Sequence, residues 1–194
     1  MHRFFLTLSR IMAWAGGTML CLLVALACVS VLGRSLNGFL HSDTAQGAAP
    51  GLADWLLSLG IGPVLGDFEL VEAGIAFSIF AFLPLCQITG GHASVDIFTA
   101  RWSPRANRWR AMFTDIVFAA VLSLIAVQLA AGTASRMATG QTTFLIQFPL
   151  WWAYALSLSG AVVAALVSLY IAALRIAETM QGRALAPIPG DAAP

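Results

Sequence analysis

Residues Ile11–Gly33 read IMAWAGGTMLCLLVALACVSVLG, and none of these 23 positions holds a charged side chain. As an α-helix with a rise of about 1.5 Å per residue, this segment reaches about 34 Å. The hydrocarbon core of a bilayer is roughly 30 Å thick, so the segment is long enough to cross it. We therefore predict a first membrane span at about residues 11–33.

Three more apolar segments follow, at about residues 73–91, 112–135 and 150–174. Only 10% of the 194 residues are charged, whereas soluble domains carry roughly a quarter. The chain is therefore predicted to be all-α, an integral membrane four-helix bundle. We predict one membrane domain at residues 1–184, with a long first loop at 34–72 that contains a short amphipathic helix, and a tail at 185–194.

Two segments outside these spans have the apolar spacing of helices that lie along a membrane surface. In the first loop, at 34–72, the stripe is Leu52, Trp55, Leu56 and Leu59. At the N-terminus it is Phe4, Leu8 and Ile11. We predict short interfacial helices at both places. The alternatives are a disordered loop and a plain extension of the first span.

The arginines indicate how the chain is oriented. Eight of the ten cationic residues fall in the N-terminal segment, the loop between the second and third spans, and the tail: Arg3, Arg10, Arg101, Arg105, Arg108, Arg110, Arg175 and Arg183. Cationic loops resist translocation and stay in the cytoplasm. Both termini are therefore predicted to be cytoplasmic.

The residues that carry chemistry are sparse. No histidine lies in the middle of a span, which leaves no pair for haem ligation: His2, His41 and His92. The cysteines lie in apolar segments and are expected to be small packing residues: Cys21, Cys28 and Cys86. We predict no catalytic residue, no cofactor and no metal. The formal charge of +1, without a basic run, argues against nucleic acid as a partner.

The polar residues within the spans are mainly Gln87 and Gln128. For Gln128 we expect a buried amide with one interhelical hydrogen bond, although a role in lining a solute path is the alternative. Small residues recur at close-packing intervals, and they suit contacts within the chain or with a partner: Ala13, Gly17, Cys21 and Ala25 in the first span, and Gly160 and Ala164 in the fourth.

Residues at the outer ends of the spans are candidates for structural or partner contacts. Glu72 and Arg136 either form an ion pair or extend separately into the headgroups. Trp151 and Trp152 have the amphipathic rings typical of a membrane surface.

Two segments are specific enough to suggest a family. They are GHASVD at residues 91–96 and GQTTFLIQFPLWWAY at residues 140–154. Both resemble segments of the small, DctQ-like membrane subunits of tripartite ATP-independent periplasmic (TRAP) transporters. The resemblance extends over roughly residues 69–174. Within the first segment, Asp96 is expected to have a structural role, either capping backbone donors or pairing with an arginine.

The resemblance implies a non-enzymatic accessory subunit in a bacterial inner membrane. Its partners would be a large multi-span transport subunit, which it braces, a periplasmic solute-binding protein, for which it helps form a platform, and membrane lipids. The transporter would take up organic acids with sodium. The alternative function is a four-helix membrane-anchor subunit of a redox complex, which the lack of ligand histidines disfavours. A self-contained carrier or channel is a further alternative.

Overall fold

A computed structural model describes residues 1–48, 50–92 and 102–181 of the chain. This part of the chain contains six α-helices and no β-strand: α1 (His2–Leu40), α2 (Asp43–Ala48), α3 (Pro50–Ser58), α4 (Asp67–Thr89), α5 (Pro104–Thr139) and α6 (Leu150–Gln181). Four of them, α1, α4, α5 and α6, are long and apolar enough to cross a membrane. The prediction of an all-α, four-span membrane protein is confirmed.

The first span is part of one continuous 39-residue helix, α1. The predicted N-terminal stripe does not form a separate interfacial helix, because it continues into the span without a break. Phe5 and Leu6 pack against a cluster that includes Ile88 and Ile171, and the Phe5 ring stacks on that of Tyr170 with centroids 4.3 Å apart. Contacts with α4 and α6 thus hold the start of the chain.

The short helix predicted in the first loop, at 34–72, is present as α3, and the shorter α2 precedes it. Ala53 is the buried residue of α3, at 3% exposure. Leu52, Trp55 and Leu59 of the predicted stripe are more than half exposed, so they point away from the rest of the chain. An apolar stripe in this direction fits a helix that lies on a membrane surface.

The four long helices lie side by side in the order α1, α4, α6, α5. The central helices have 39% (α4) and 50% (α6) of their apolar windows buried, while each edge helix has only 17%. The helices therefore form an elongated row, and its two edge helices leave broad apolar faces uncovered.

Buried residues of α1 recur at every seventh position, namely Ser9, Gly16, Leu23 and Ser30. The last three of them contact α4. A Cβ at Gly16 would lie 2.9 Å from that of Ala81, which shows how closely the helices approach. The predicted small-residue row of the first span is not this contact. Cys21 and Ala25 are exposed, and a Cβ at Gly17 would meet no atom within 4 Å.

The contact between α4 and α6 centres on Gly160. A Cβ at this position would lie 3.0–3.2 Å from the Cβ and backbone of Phe80 and the backbone of Ala81. Pro84 has no N–H, so the carbonyl of Phe80 lacks its usual helical donor, and the helix approaches its neighbour at this turn. Gly160 and Ala164 are both buried, as expected of packing residues.

We expect Gly160→Val to destabilise the fold, because the added side chain meets backbone atoms that cannot rotate away. Overpacking of this kind costs about 1–3 kcal/mol. Thermal unfolding of the purified protein in detergent measures the effect. Gly17→Val is the matched control, since the space around Gly17 is open. Equal melting temperatures for the two variants would contradict the assignment of this contact.

Candidate functional site

At the outer end of the row, the segment between α5 and α6 forms a compact turn, residues 140–149, which we call the outer loop. The Thr143 N–H donates to the Phe148 carbonyl at 2.9 Å, and the Leu150 N–H donates to the Gln141 carbonyl at 3.0 Å. These bonds accompany an isolated antiparallel bridge between Thr142 and Pro149. Backbone hydrogen bonds therefore close the loop on itself.

Glu69, in the first turn of α4, attaches this loop to the neighbouring helix. One carboxylate oxygen accepts from the Leu145 N–H at 2.7 Å, and the other accepts from the Ile146 N–H at 3.2 Å. A Cβ at Gly66 would lie 2.5 Å from Ile146, so the start of α4 has room for that side chain only because residue 66 is glycine. An ionised carboxylate suits two donors, because both of its oxygens accept.

A second polar contact joins α1 to the start of α4. The Ser30 hydroxyl donates to the Asp67 carboxylate and accepts from the Val64 N–H at 3.3 Å. Arg34 lies 3.8 Å from the same carboxylate but is 68% exposed, so this ion pair contributes little. The segment between α3 and α4 also approaches α1 closely, since a Cβ at Gly33 would overlap the Gly62 carbonyl oxygen.

An open cleft of about 530 Å³ lies between α4, α5, α6 and the outer loop. Its mouth carries Glu69 and Glu72, and the side chains of Phe80, Leu129 and Phe148 give it apolar walls. The cleft thus has an acidic rim and apolar walls, and it has room for a lipid chain or for a side chain of a partner.

Of the two alternatives for Glu72 and Arg136, the ion pair does not form, since the two side chains are not within 4 Å of each other. Arg136 instead donates to the Gln141 side chain and lies over the Tyr154 ring, 5.7 Å from its centroid. Glu72 is exposed at the mouth of the cleft. Arg136 thus connects α5 to the outer loop and to α6. From the sequence we considered only an ion pair or the headgroups for this arginine and did not predict these contacts.

The predicted surface tryptophans lie at the start of α6. Their rings are in edge-to-face contact, with centroids 5.7 Å apart, and Trp152 makes a similar contact with Phe148. Trp152 is 53% exposed and Trp151 is partly buried. A role at the membrane surface stays a prediction. Asp96 lies outside the described residues.

A polar network joins three helices at the opposite, inner end. Arg175 on α6 lies 3.1 Å from the Asp115 carboxylate on α5 and 3.5 Å from that of Glu178. The side-chain amide of Gln87 on α4 donates to the Asp115 carboxylate at 3.1 Å, and its Oε1 accepts from the His92 ring at 2.7 Å. The charged side chains are 83–91% buried, so their pairing matters for stability.

From the sequence we counted Arg175 only among the cytoplasmic arginines and gave Asp115 no role, and so missed this network. The available signal was two opposite charges at the same end of two spans that follow each other in the chain. Such spans run antiparallel when the connection is short, so their facing ends meet.

The position of Gln128 differs from the expectation of a buried amide. Gln87 is the buried amide, at 4% exposure, whereas Gln128 is exposed on α5 and hydrogen-bonds to none of the described residues. The expected interhelical bond of Gln128 is therefore wrong for contacts within this part of the chain. Apolar periodicity could not reveal the direction, because the residues on all sides of this helix are apolar.

The described ranges hold no group of three or more His, Cys, Asp or Glu side chains placed to hold a metal ion. The ion pairs described above lie towards the helix ends, at the inner and outer ends of the row. This arrangement of four apolar helices, with polar contacts that fasten the ends, defines a multi-span helical membrane protein.

The sequence matches the family described as tripartite ATP-independent periplasmic transporters, DctQ component, over residues 23–178. The chain belongs to this family and is a small membrane subunit of a TRAP transporter, a multi-pass protein of a bacterial inner membrane. The match confirms the resemblance seen in the two segments quoted above. Neither the curated proteins nor the solved structures gave a significant match.

We expect Glu69→Gln to loosen the outer loop, because an amide offers one acceptor oxygen to the two backbone donors. Hydrogen bonds to charged groups contribute about 1.5–3 kcal/mol each, so exchange at Leu145 and Ile146 should accelerate roughly ten- to a hundredfold. Hydrogen exchange followed by mass spectrometry of the outer-loop peptide measures this. Glu72→Gln, three residues along the same helix, is the control and should leave exchange unchanged. Equal protection in both variants would refute the attachment.

We expect Asp115→Asn and Arg175→Gln to be coupled, because each substitution removes the partner of a mostly buried charge. Contacting residues show interaction free energies of about 0.5–3 kcal/mol in double-mutant cycles. Reversible unfolding in mixed micelles supplies the four free energies. Asp115→Asn combined with Arg136→Gln is the control pair, since Arg136 lies at the outer end. Additive effects of the inner pair would argue against a stabilising ion pair.

Proposed function

We propose that this chain braces the large transport subunit of a sodium-coupled TRAP transporter for organic acids. We also propose that it helps to form the surface that receives the periplasmic solute-binding protein. The observation that carries the proposal is the family match over residues 23–178, together with a row of helices that leaves apolar faces uncovered on both edges.

The physical argument for a brace starts from the row. A transport domain that moves through a bilayer needs a stationary frame, and additional spans widen that frame. A row of four helices exposes more apolar surface for lateral contact than a closed bundle of the same helices. Its polar contacts fasten both ends, where Glu69 holds the outer loop and Arg175 holds α5 against α6.

The outer surface supports the proposed contact with the periplasmic protein. Phe144 at the tip of the outer loop is 92% exposed, and Leu145 beside it is 50% exposed. The Leu145 N–H donates to Glu69, so this part of the loop is held against the start of α4. Trp55 and its neighbours on α3 add an apolar surface on the same side of the chain.

The proposed orientation has both termini in the cytoplasm. The start of α1 packs beside Ile88 and Tyr170, near the ends of α4 and α6, and the inner network brings the start of α5 to the same end. The described arginines of these segments therefore share one side of the row: Arg3, Arg10, Arg105, Arg108, Arg110 and Arg175. Because positively charged segments stay in the cytoplasm, the shared position of these arginines supports the proposal that this side is cytoplasmic.

We assign the sodium and solute sites to the large subunit. Ion and solute sites of secondary transporters lie near the bilayer midplane, where ionisable side chains or broken helices form them. In the described part of the chain, the helices run unbroken through the apolar windows and the ion pairs lie towards their ends.

Removal of this chain should abolish sodium-driven uptake, while the periplasmic protein still binds its solute. The test compares proteoliposomes that contain the large subunit alone with proteoliposomes that contain both membrane subunits. Solute binding by the isolated periplasmic protein is the control. Undiminished uptake without this chain would overturn the proposed role, and uptake by this chain alone would indicate a self-contained carrier.

A further inference from the structure

Gln128 is a polar side chain that lies near the middle of a membrane span, among exposed apolar side chains. It lies about 4 Å from the centre of the uncharged segment 116–135, given a rise of about 1.5 Å per residue. It is exposed, and its nearest exposed neighbours are Leu124 at 61% and Val127 at 65%. An amide without a hydrogen-bond partner is costly in hydrocarbon, and glutamine is too short to reach the headgroups from this depth.

The same face of α5 carries a regular repeat. Its residues alternate at intervals of three and four, and all are exposed: Thr114, Val117, Val121, Leu124, Gln128, Ala131 and Ser135. We call this set the α5 seam. A spacing of this kind is the contact pattern of two helices that pack along their length. Polar residues occupy three of the four positions seven apart, namely Thr114, Gln128 and Ser135.

The seam points away from the rest of the chain. The residues of α5 that face α6 include Leu122 and Ala126, both buried, and they lie on the opposite side of the helix from the seam. Because α5 is an edge helix of the row, a neighbour can approach it without displacing any other long helix.

We propose that the α5 seam is the surface on which a transmembrane helix of the large subunit docks, with a hydrogen-bonding side chain opposite Gln128. The partner side chain would be Ser, Thr, Asn or Gln, the groups that bond across helices in membranes. This inference rests on the proposed function, in which the chain shares the membrane with the large subunit of a tripartite transporter. The neighbouring flank of α5 around Val127 faces lipid.

The first test places a photoreactive benzophenone amino acid at Val121 or at Val127 in the complete complex. Both are exposed valines of α5, at 48% and 65%, and they lie about 120° apart around the helix. A covalent adduct with the large subunit from Val121, and not from Val127, supports the proposal. An adduct between two copies of this chain overturns the proposal. The proposal also fails if both positions form adducts with lipid only.

The second test compares Gln128→Leu with Val127→Leu in the affinity-purified complex. Interhelical hydrogen bonds in membranes are worth about 0.6–1.7 kcal/mol, so Gln128→Leu should raise the apparent dissociation constant about threefold to twentyfold. Val127→Leu should leave it unchanged. If the Gln128→Leu and wild-type chains bind the large subunit with equal affinity, the proposed role of the α5 seam is refuted, but the proposed function is not. If the wild-type chain retains no large subunit, the proposed function fails as well.

Discussion

The close contact between α4 and α6 joins the two halves of this fold. On one side α1 packs mainly on α4, and on the other side α5 packs on α6, so the row depends on the central pair. Gly160 allows α6 to approach the backbone around Phe80, at the turn that Pro84 leaves without its usual donor. In a bilayer, where lipid competes equally for apolar side chains, such close backbone packing replaces the hydrophobic effect as the source of association.

Polar interactions complete the row at both surfaces. Glu69 and Asp67 fasten the outer end through backbone and hydroxyl donors, and Asp115 with Arg175 fastens the inner end. Their positions follow from the solvent, because a charge near the headgroups costs less than one at the midplane. The central parts of the helices thus pack through small and apolar residues, and the ends set how the helices align.

This division suits a subunit that supports another protein. Fastened ends keep the row in one arrangement, while the uncovered faces of α1 and α5 offer surface for neighbours. Gln128 distinguishes one of these faces, since an amide at that depth needs a partner that the described part of the chain does not supply. The cleft beside Glu72 is a second place where lipid or a partner side chain has room to enter.

The sequence by itself determined the all-α class, the four spans, the short helix near Trp55 and, through the segments at 91–96 and 140–154, the family. Length and hydropathy decide the spans, because a membrane sets a fixed thickness. Only the tertiary structure decided the order of the helices, the attachment of the outer loop to Glu69, the network around Asp115 and the outward direction of Gln128. Where lipid is as apolar as the protein interior, hydrophobic periodicity no longer reports which face of a helix packs, and long-range contacts between side chains decide it.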